Sequence, residues 1–164
     1  MRFRNLTNFK LLITNVFIYW CQGTSAIFAC EIKVAIAREN AAKHSVTQRI
    51  QFSHHSVHDG DFLQENHKFD IIVSNPPYIS AEDYPELQEE ILKYEPKQAL
   101  SDDKDGYSFY EGITGLAHDI LYPGGILFYE LGIGQADKVG KIMKGNNFTT
   151  ISIQNDYLGV QRVI

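Results

Sequence analysis

The sequence predicts an α/β fold with an open, mostly parallel sheet that ends in an antiparallel pair of strands. Apolar runs without polar alternation, which are typical of strands buried on both faces, alternate along the chain with segments of helical spacing. The last two strand-like segments, at 150–153 and 161–164, are close enough in sequence for an antiparallel pairing. The 164 residues, 44% of them hydrophobic and 21% charged, fit one domain with a core of its own.

The N-terminal stretch has the least regular pattern. Three basic residues among the first ten precede the apolar stretch 11–20, an order that also occurs in signal and transit peptides. The apolar part is interrupted by polar residues, is too short to span a bilayer and lacks a small-residue cleavage site. We therefore expect an irregular leader over 1–15 and a first strand around Val16 to Trp20, so that the main domain covers 16–164.

The later elements follow from the spacing of apolar residues, which recur every three or four positions in helices and run together in buried strands. The expected elements are, in order, a helix over 31–44, a strand over 49–53, a polar loop over 54–68, a buried strand over 69–74, a short helix over 86–93, a helix from Tyr110 to a stop at Pro123-Gly124-Gly125, a buried strand over 126–131, a helix from Ala136 to Gly145, and the final strand pair.

The most informative motif is Asn75-Pro76-Pro77-Tyr78, which directly follows the apolar run 69–74. The prolines have no backbone N–H and a fixed φ, so the strand must stop there and the carbonyls around them are not used by the sheet. The motif then lies at the carboxyl end of a buried strand, where open α/β sheets bind ligands. The Asn75 side-chain oxygen and the Pro76 carbonyl could accept both N–H bonds of a planar amide or amine, with Tyr78 against its flat face.

This arrangement suits methyl transfer to an amide or amino nitrogen. An amide nitrogen is a poor nucleophile because its lone pair is delocalised, so the site must hold it in line with an activated methyl group. Two acceptors on the N–H bonds also stabilise the positive charge that grows on nitrogen. A Pro-Pro turn kept for packing is the alternative, but the preceding asparagine, the following aromatic residue and the buried strand favour function. The charged insertion 79–105 follows directly, and we interpret it as a lid or substrate loop.

Composition narrows the classes of partner. A formal charge of −5 without a Lys/Arg cluster argues against a protein that binds duplex DNA through its phosphates. The two cysteines, Cys21 and Cys30, form neither a metal-type pair nor a disulfide framework, which suits a reducing compartment. The histidines between 54 and 67 have no accompanying set of carboxylates or cysteines. We interpret them as solvated loop residues and expect no metal site.

Further motifs are shared with one known family. They are Ala35-Ile36-Ala37-Arg38-Glu39-Asn40-Ala41-Ala42, Phe69 to Ile79, Tyr94-Glu95-Pro96 with Ala99-Leu100, Asp105-Gly106 with Phe109-Tyr110, Pro123-Gly124-Gly125, Glu130-Leu131-Gly132 with Gln135, and Gly159 with Arg162-Val163. From about Glu31 to its last residue the chain resembles the HemK family of N5-glutamine methyltransferases, which modify the glutamine of the Gly-Gly-Gln motif in peptide chain release factors. The Asn-Pro-Pro-Tyr motif alone would also fit DNA adenine and other amino methyltransferases, whereas the Tyr-Glu-Pro and Asp-Gly…Phe-Tyr segments are similar to HemK in particular.

The resemblance implies a Rossmann-like S-adenosylmethionine-dependent methyltransferase fold, with S-adenosylmethionine as the cofactor and a release factor as the protein substrate. It implies that Asn75 and Pro76 are catalytic, that Asn75, Pro76, Pro77 and Tyr78 bind the glutamine, and that Asn75 also lies beside the methyl group of the donor. We expect a monomer that binds neither DNA nor a membrane. The expected location is the cytoplasm, or the mitochondrion if the leader is a transit segment.

The cofactor half of the site departs from the family pattern. The family has an Asp-x-Gly-x-Gly-x-Gly loop through which the backbone approaches the cofactor, but the corresponding stretch 20–26 holds one glycine, Gly23, and no aspartate. Glu31 could bind the ribose hydroxyls if about three residues are missing after it; an ungapped alignment places Phe28 there, and Glu31 then only begins a helix. The implied cofactor-binding residues are Gly23, Glu31 and Asn75, and we expect weakened binding.

The family's helical N-terminal domain is not found before this stretch. Together with the unusual leader, this leads us to expect a catalytic domain whose N-terminal part is truncated or altered, as in a truncated, frameshifted or alternatively spliced reading frame. Besides a protein-glutamine methyltransferase, two functions stay open. One is a catalytically inactive remnant that acts as a binding module, and the other is a nucleic-acid amino methyltransferase, which would require a basic surface.

Overall fold

A computed structural model of the chain describes residues 11–14, 24–28, 31–54, 68–149 and 151–164. The strands are β1 Leu11–Thr14, β2 Thr24–Phe28, β3 Ile50–His54, β4 Phe69–Ser74, β5 Leu121–Tyr129, β6 Gln154–Asn155 and β7 Gln161–Val163. The helices are α1 Glu31–Lys43, α2 Glu89–Tyr94, α3 Lys97–Leu100, α4 Ser108–Ile120 and α5 Ala136–Gly145, with single 3-10 turns at Thr47–Arg49 and Tyr84–Glu86. Among the helices in these ranges, none has the length and apolar character needed to cross a membrane.

The chain divides into two compact units. The first comprises Met1–Ser74 with Asp119–Leu127, and the second comprises Asn75–His118 with Phe128–Ile164. The strands β1 to β4 and most of β5 therefore belong to the first unit, whereas the Asn-Pro-Pro-Tyr motif belongs to the second.

The first unit is built on a sheet in the order β3-β2-β1-β4-β5. The pairs β3/β2, β2/β1 and β1/β4 are parallel, and the last residues of β1 and β4, Thr14 and Ser74, are register partners. The strand order reverses at β1, which is the kind of point where open α/β sheets bind ligands beyond their carboxyl ends. The predicted open, mostly parallel sheet is confirmed.

Strand β4 occupies the interior position expected for it. It has β1 on one side and β5 on the other, and its side chains Phe69 and Ile72 are almost fully buried. Its bounds, Phe69–Ser74, are those predicted from the apolar run. A strand without polar alternation is stable only where both of its faces are covered, so the apolar run and the central position agree.

Helix α1 ends one residue before the predicted end. Its residue Ala37 is buried, with Val34, Ile50 and Phe52 packed against it, and Arg38 lies over the Phe52 ring at 5.9 Å. These contacts attach α1 to β3 through the apolar face that the spacing predicted.

The N-terminal prediction differs from the observed fold. The expected strand Val16 to Trp20 lies outside the described residues, and β1 instead occupies Leu11–Thr14, within the segment expected to be an irregular leader. The stretch 24–26, assigned to a cofactor loop, lies in β2. The apolar run 11–20 is long enough for a strand at either end, and periodicity alone does not choose between the two.

Two predictions near the C-terminus also need correction. The strand expected over 126–131 is β5, which begins at Leu121 and includes the Pro-Gly-Gly segment, where Gly124 has a φ of +82°. The strand expected over 150–153 is not formed in its described part, 151–153; β6 is confined to Gln154–Asn155, because only these residues lie opposite β7. The antiparallel pairing itself is confirmed, and β7 also pairs antiparallel with the chain just after β5, where Glu130 bridges Val163.

The second unit has a core centred on two tyrosines. The rings of Tyr110 and Tyr129 meet edge to face with centroids 5.0 Å apart, a favourable aromatic geometry. The Tyr129 hydroxyl shares a 2.9 Å hydrogen bond with the Thr114 hydroxyl and donates to the Tyr110 carbonyl. Burial raises the pKa of both phenols, so both side chains are neutral hydrogen-bonding groups.

Candidate functional site

The Asn-Pro-Pro-Tyr motif begins with the residue after β4. Pro76 and Pro77 are fully buried, whereas Asn75 and Tyr78 are half-buried. The prolines therefore form a fixed inner support, and the two polar side chains of the motif are the ones that are partly exposed. The predicted position at the carboxyl end of a central strand is confirmed.

The side-chain amide of Asn75 has a defined direction. Its Nδ2 donates to Oε2 of Glu130 at 3.0 Å. A carboxylate has only acceptor oxygens, so the NH2 end of the amide must face Glu130 and Oδ1 must point away from it. The atom that the sequence predicts as the acceptor for a substrate amide is therefore the one that Glu130 leaves for a ligand.

Tyr78 is held by the same carboxylate. Its hydroxyl donates to Oε1 of Glu130 at 3.4 Å. Burial raises the pKa of the Tyr78 phenol, the negative charge of Glu130 raises it further, and the positive charge of Arg162 opposes the rise. A Cβ on Gly132 would come within 3.0 Å of the Tyr78 ring carbon Cδ2, so the absence of a side chain at Gly132 leaves room for the ring.

The backbone carbonyl of Tyr78 is fixed by the buried side chain of Gln135. Nε2 of Gln135 donates to the Tyr78 oxygen at 3.0 Å and to the Gly106 oxygen at 3.5 Å. Its Oε1 accepts from the Gly132 N–H at 3.0 Å and, at 3.2 Å, shares the Tyr110 O–H with the nearer Glu130 carbonyl. Gln135 thereby joins three distant segments, and each of its polar atoms has a partner, as a buried amide requires.

A tight loop ahead of α4 packs against the same carbonyl. The Asp102 carboxylate accepts from the backbone N–H groups of Lys104, Gly106 and Ser108 and from the Ser108 hydroxyl. Burial raises the pKa of Asp102, but these hydrogen bonds outweigh it and hold the pKa below its usual value. The loop brings Gly106 so close to Tyr78 that an added Cβ would lie 2.5 Å from the Tyr78 carbonyl oxygen.

The first residues of the insertion expected to be a lid are hydrogen-bonded to its last residues. The Ile79 N–H donates to the Leu100 carbonyl at 2.9 Å, and the Ala81 N–H donates to the Lys104 carbonyl at 2.8 Å. Between these bonds it carries α2 and α3, and none of the residues 82–100 is buried. Its role as a lid or substrate loop stays a prediction.

The roles predicted for Gly23 and Glu31 in cofactor binding stay predictions. Gly23 lies outside the described residues, and Glu31 is the first residue of α1. Strand β2 ends at Phe28, so the backbone puts Phe28 at the end of the second strand, as in the ungapped alignment. The role of Glu31 at a ribose stays a prediction, and its backbone position is that of a helix start.

Sequence reasoning assigned no role to two residues of the site, Glu130 and Gln135. Both occur in segments that match the HemK pattern, which was the available signal. Their partners, however, lie 55 and 57 positions earlier in the chain. No short-range pattern could pair them.

Comparison with known proteins adds a family. A family model described as "Eco57I restriction-modification methylase" matches residues 5–150. A release factor glutamine methyltransferase of Fusobacterium nucleatum is 48% identical over 102 residues, which are 62% of this chain and 29% of that protein. A second protein of that name, from Geobacter sulfurreducens, is 39% identical over 133 residues, which are 80% of this chain and 44% of that protein. The chain thus spans less than half the length of each.

Solved structures support the fold. The crystal structure of SMU.776, a putative methyltransferase complexed with SAH, superposes with a TM-score of 0.63 at 11% identity, over 97% of this chain and 46% of that one. At this identity the likeness establishes the Rossmann-like methyltransferase fold and nothing finer.

The family model is described as a methylase, and only the names of the two relatives state a substrate. The identities of 48% and 39% belong to glutamine methyltransferases, and the segments Tyr94–Pro96 and Asp105–Tyr110 are the ones that resemble this group in particular. The chain therefore belongs to the methylase family that the matching model describes, and the resemblance to the HemK family is confirmed by relatives that are named release factor glutamine methyltransferases.

Proposed function

We propose that this chain carries the catalytic domain of a protein-glutamine methyltransferase, which transfers a methyl group from S-adenosylmethionine to the side-chain nitrogen of a glutamine. The substrate would be the Gly-Gly-Gln motif of a peptide chain release factor. One observation carries the proposal: the Asn75 amide donates to Glu130, which turns its oxygen away from that carboxylate, in a motif that begins at the end of a central strand. Family membership supports the substrate class.

The chemistry follows from the acceptors. The glutamine NH2 would donate one N–H to Oδ1 of Asn75 and the other to the Pro76 carbonyl, while the Tyr78 ring covers the flat face of the amide. These contacts orient the nitrogen lone pair along the line of attack. As the new N–CH3 bond forms, the S–CH3 bond of the donor would break and its electron pair would stay on sulfur, while positive charge grows on the nitrogen and both acceptors stabilise it. The nitrogen would then release one N–H proton to water and become the methylated amide.

The fold offers a place for the methyl donor, which supplies an activated methyl group when bound. The strand order of the first unit reverses at β1, and the carboxyl ends of β1 and β4 are adjacent there. The residues fit the donor only in part. The end of β2, where the family has a carboxylate for the ribose hydroxyls, is Phe28.

We expect the affinity for S-adenosylmethionine to be about a hundredfold weaker than in a relative with a complete glycine loop and carboxylate, because about two good hydrogen bonds are lost. Calorimetric titration of the full chain measures this affinity. Phe28→Asp should strengthen binding, because it puts a carboxylate at the end of β2. Tight binding by the unchanged chain would contradict the expectation.

Methyl transfer to short peptides tests the reaction. With a labelled methyl donor at high concentration, a Gly-Gly-Gln peptide should be methylated, and a Gly-Gly-Glu peptide of nearly the same shape should not, because its carboxylate has no N–H to donate. DNA that contains adenine should also stay unlabelled. Label in DNA but not in the Gly-Gly-Gln peptide would overturn the proposal in favour of a nucleic-acid methyltransferase.

A second candidate function is a binding module without catalysis. The apolar Phe28 at the end of β2 favours it, because that position would not bind ribose hydroxyls. In this case a calorimetric titration with the Gly-Gly-Gln peptide would show binding, whereas no labelled methyl group would be transferred to the peptide at any donor concentration.

A further inference from the structure

Asn75 and Tyr78, the two half-buried side chains of the motif, both donate hydrogen bonds to the carboxylate of Glu130. Oε2 of Glu130 accepts from Asn75 at 3.0 Å, and Oε1 accepts from the Tyr78 hydroxyl at 3.4 Å. We propose that Glu130 is a positioning residue, which sets the direction of the Asn75 amide and so determines that an acceptor, not a donor, meets the substrate. This inference rests on the proposed function.

The need for such a residue comes from the shape of an asparagine. The oxygen and the NH2 group of its amide have nearly the same size, so packing alone hardly distinguishes the two orientations. If the amide turned over, its NH2 would face the NH2 of a glutamine substrate, and two donors would meet without an acceptor. A charged carboxylate prevents this, because it can only accept and forms the stronger class of hydrogen bond.

The backbone of Glu130 is held in place by hydrogen bonds and by its buried neighbours in the chain. The Glu130 carbonyl accepts from the Tyr110 hydroxyl at 2.8 Å, and Glu130 bridges Val163 of β7. Its neighbours Tyr129 and Leu131 are 1% and 0% exposed. The side chain of Glu130 itself is exposed. A fixed backbone with an outward carboxylate suits a residue that orients other side chains, and it makes Glu130 replaceable without loss of the core.

A double-mutant cycle tests the role. Glu130→Gln should lower kcat about tenfold with little change in KM, because glutamine can also donate and therefore permits the turned-over amide. In an Asn75→Ala background the same change should cost less than about twofold, since no amide is left to orient. Glu111→Gln, an exposed glutamate on α4, is the matched control and should leave kcat unchanged. An equal loss from Glu130→Gln in both backgrounds, or an unchanged kcat, would overturn the proposal.

A second measurement does not depend on turnover. In a ¹⁵N-labelled chain, the side-chain amide signal of Asn75 is identified by its loss in Asn75→Ala. This signal should shift in Glu130→Gln and not in Glu111→Gln, because only the former alters the partner of Nδ2. No shift would refute the contact. If the signal shifts but no Gly-Gly-Gln peptide is bound or methylated, the orientation of Asn75 stands and the proposed function fails.

Discussion

Asn75→Ala is expected to lower the rate of methyl transfer to a Gly-Gly-Gln peptide by a factor on the order of a hundred or more. In the proposed mechanism the change removes an acceptor that both orients the substrate amide and stabilises the charge growing on its nitrogen, and one such contact contributes on the order of 3 kcal/mol to the transition state. Single-turnover transfer of a labelled methyl group, with the donor at a saturating concentration, measures the loss.

The fold should survive this change, because Asn75 is half-buried and the support of the motif comes from the buried prolines. Asn155→Ala, at an exposed position of β6, is the matched control and should transfer at the wild-type rate. Wild-type turnover in Asn75→Ala would show that the substrate amide is bound elsewhere.

The part of the site that could be predicted from sequence is the part encoded by neighbouring residues. An uninterrupted apolar run predicted β4 with its bounds, because a strand covered on both faces needs no polar alternation. The two prolines that follow it predicted where the strand ends. The position of Asn75 and Tyr78 at the carboxyl end of a central strand follows from these local facts alone.

The orientation of those side chains could not be predicted in this way. It depends on Glu130 and Gln135, which reach the motif only because the chain after β5 is paired with β7 and then turns into α5. Neither partnership leaves a short-range signal. The sequence indicated that the residues belong to a matching pattern but not what they contact.

The position of the first strand could not be predicted from the sequence for a different reason. The ten residues 11–20, which are apolar except for Thr14 and Asn15, accommodate a four-residue strand at more than one position, and periodicity does not choose between them. The observed choice, Leu11–Thr14, brings Thr14 level with Ser74 at the carboxyl end of β4. The position of β1 is determined by its pairing with β4, which lies far along the chain, and not by local composition.

The residues that support the proposed glutamine site and the residue at the proposed donor site belong to different units of the chain. Glu130, Gln135, Gly106 and Tyr110, which fix the Asn-Pro-Pro-Tyr motif, belong with it to the second unit. Phe28, at the end of β2, belongs to the first unit. A chain that had lost affinity for the methyl donor could therefore still hold a glutamine amide, which is why binding and transfer have to be measured separately.

Gly106→Ala is expected to lower the free energy of unfolding by about 3 kcal/mol and to weaken glutamine binding with it. Gly106 has a φ of +82°, where an alanine is strained, and its Cβ would lie 2.5 Å from the Tyr78 carbonyl oxygen. That oxygen cannot move aside freely, because Nε2 of Gln135 donates to it at 3.0 Å. Urea unfolding gives the stability, and calorimetry with the Gly-Gly-Gln peptide gives the binding.

A second glycine separates the collision from the backbone strain. Gly134 has a φ of +78° but no atom within 4 Å of an added Cβ, so Gly134→Ala bears only the cost of a left-handed alanine, about 1 kcal/mol. The excess loss in Gly106→Ala then measures how firmly Gln135 holds the Tyr78 carbonyl. Equal losses in the two variants would mean that this carbonyl yields to the new methyl group, and that the buried amide of Gln135 does not fix the backbone of the motif.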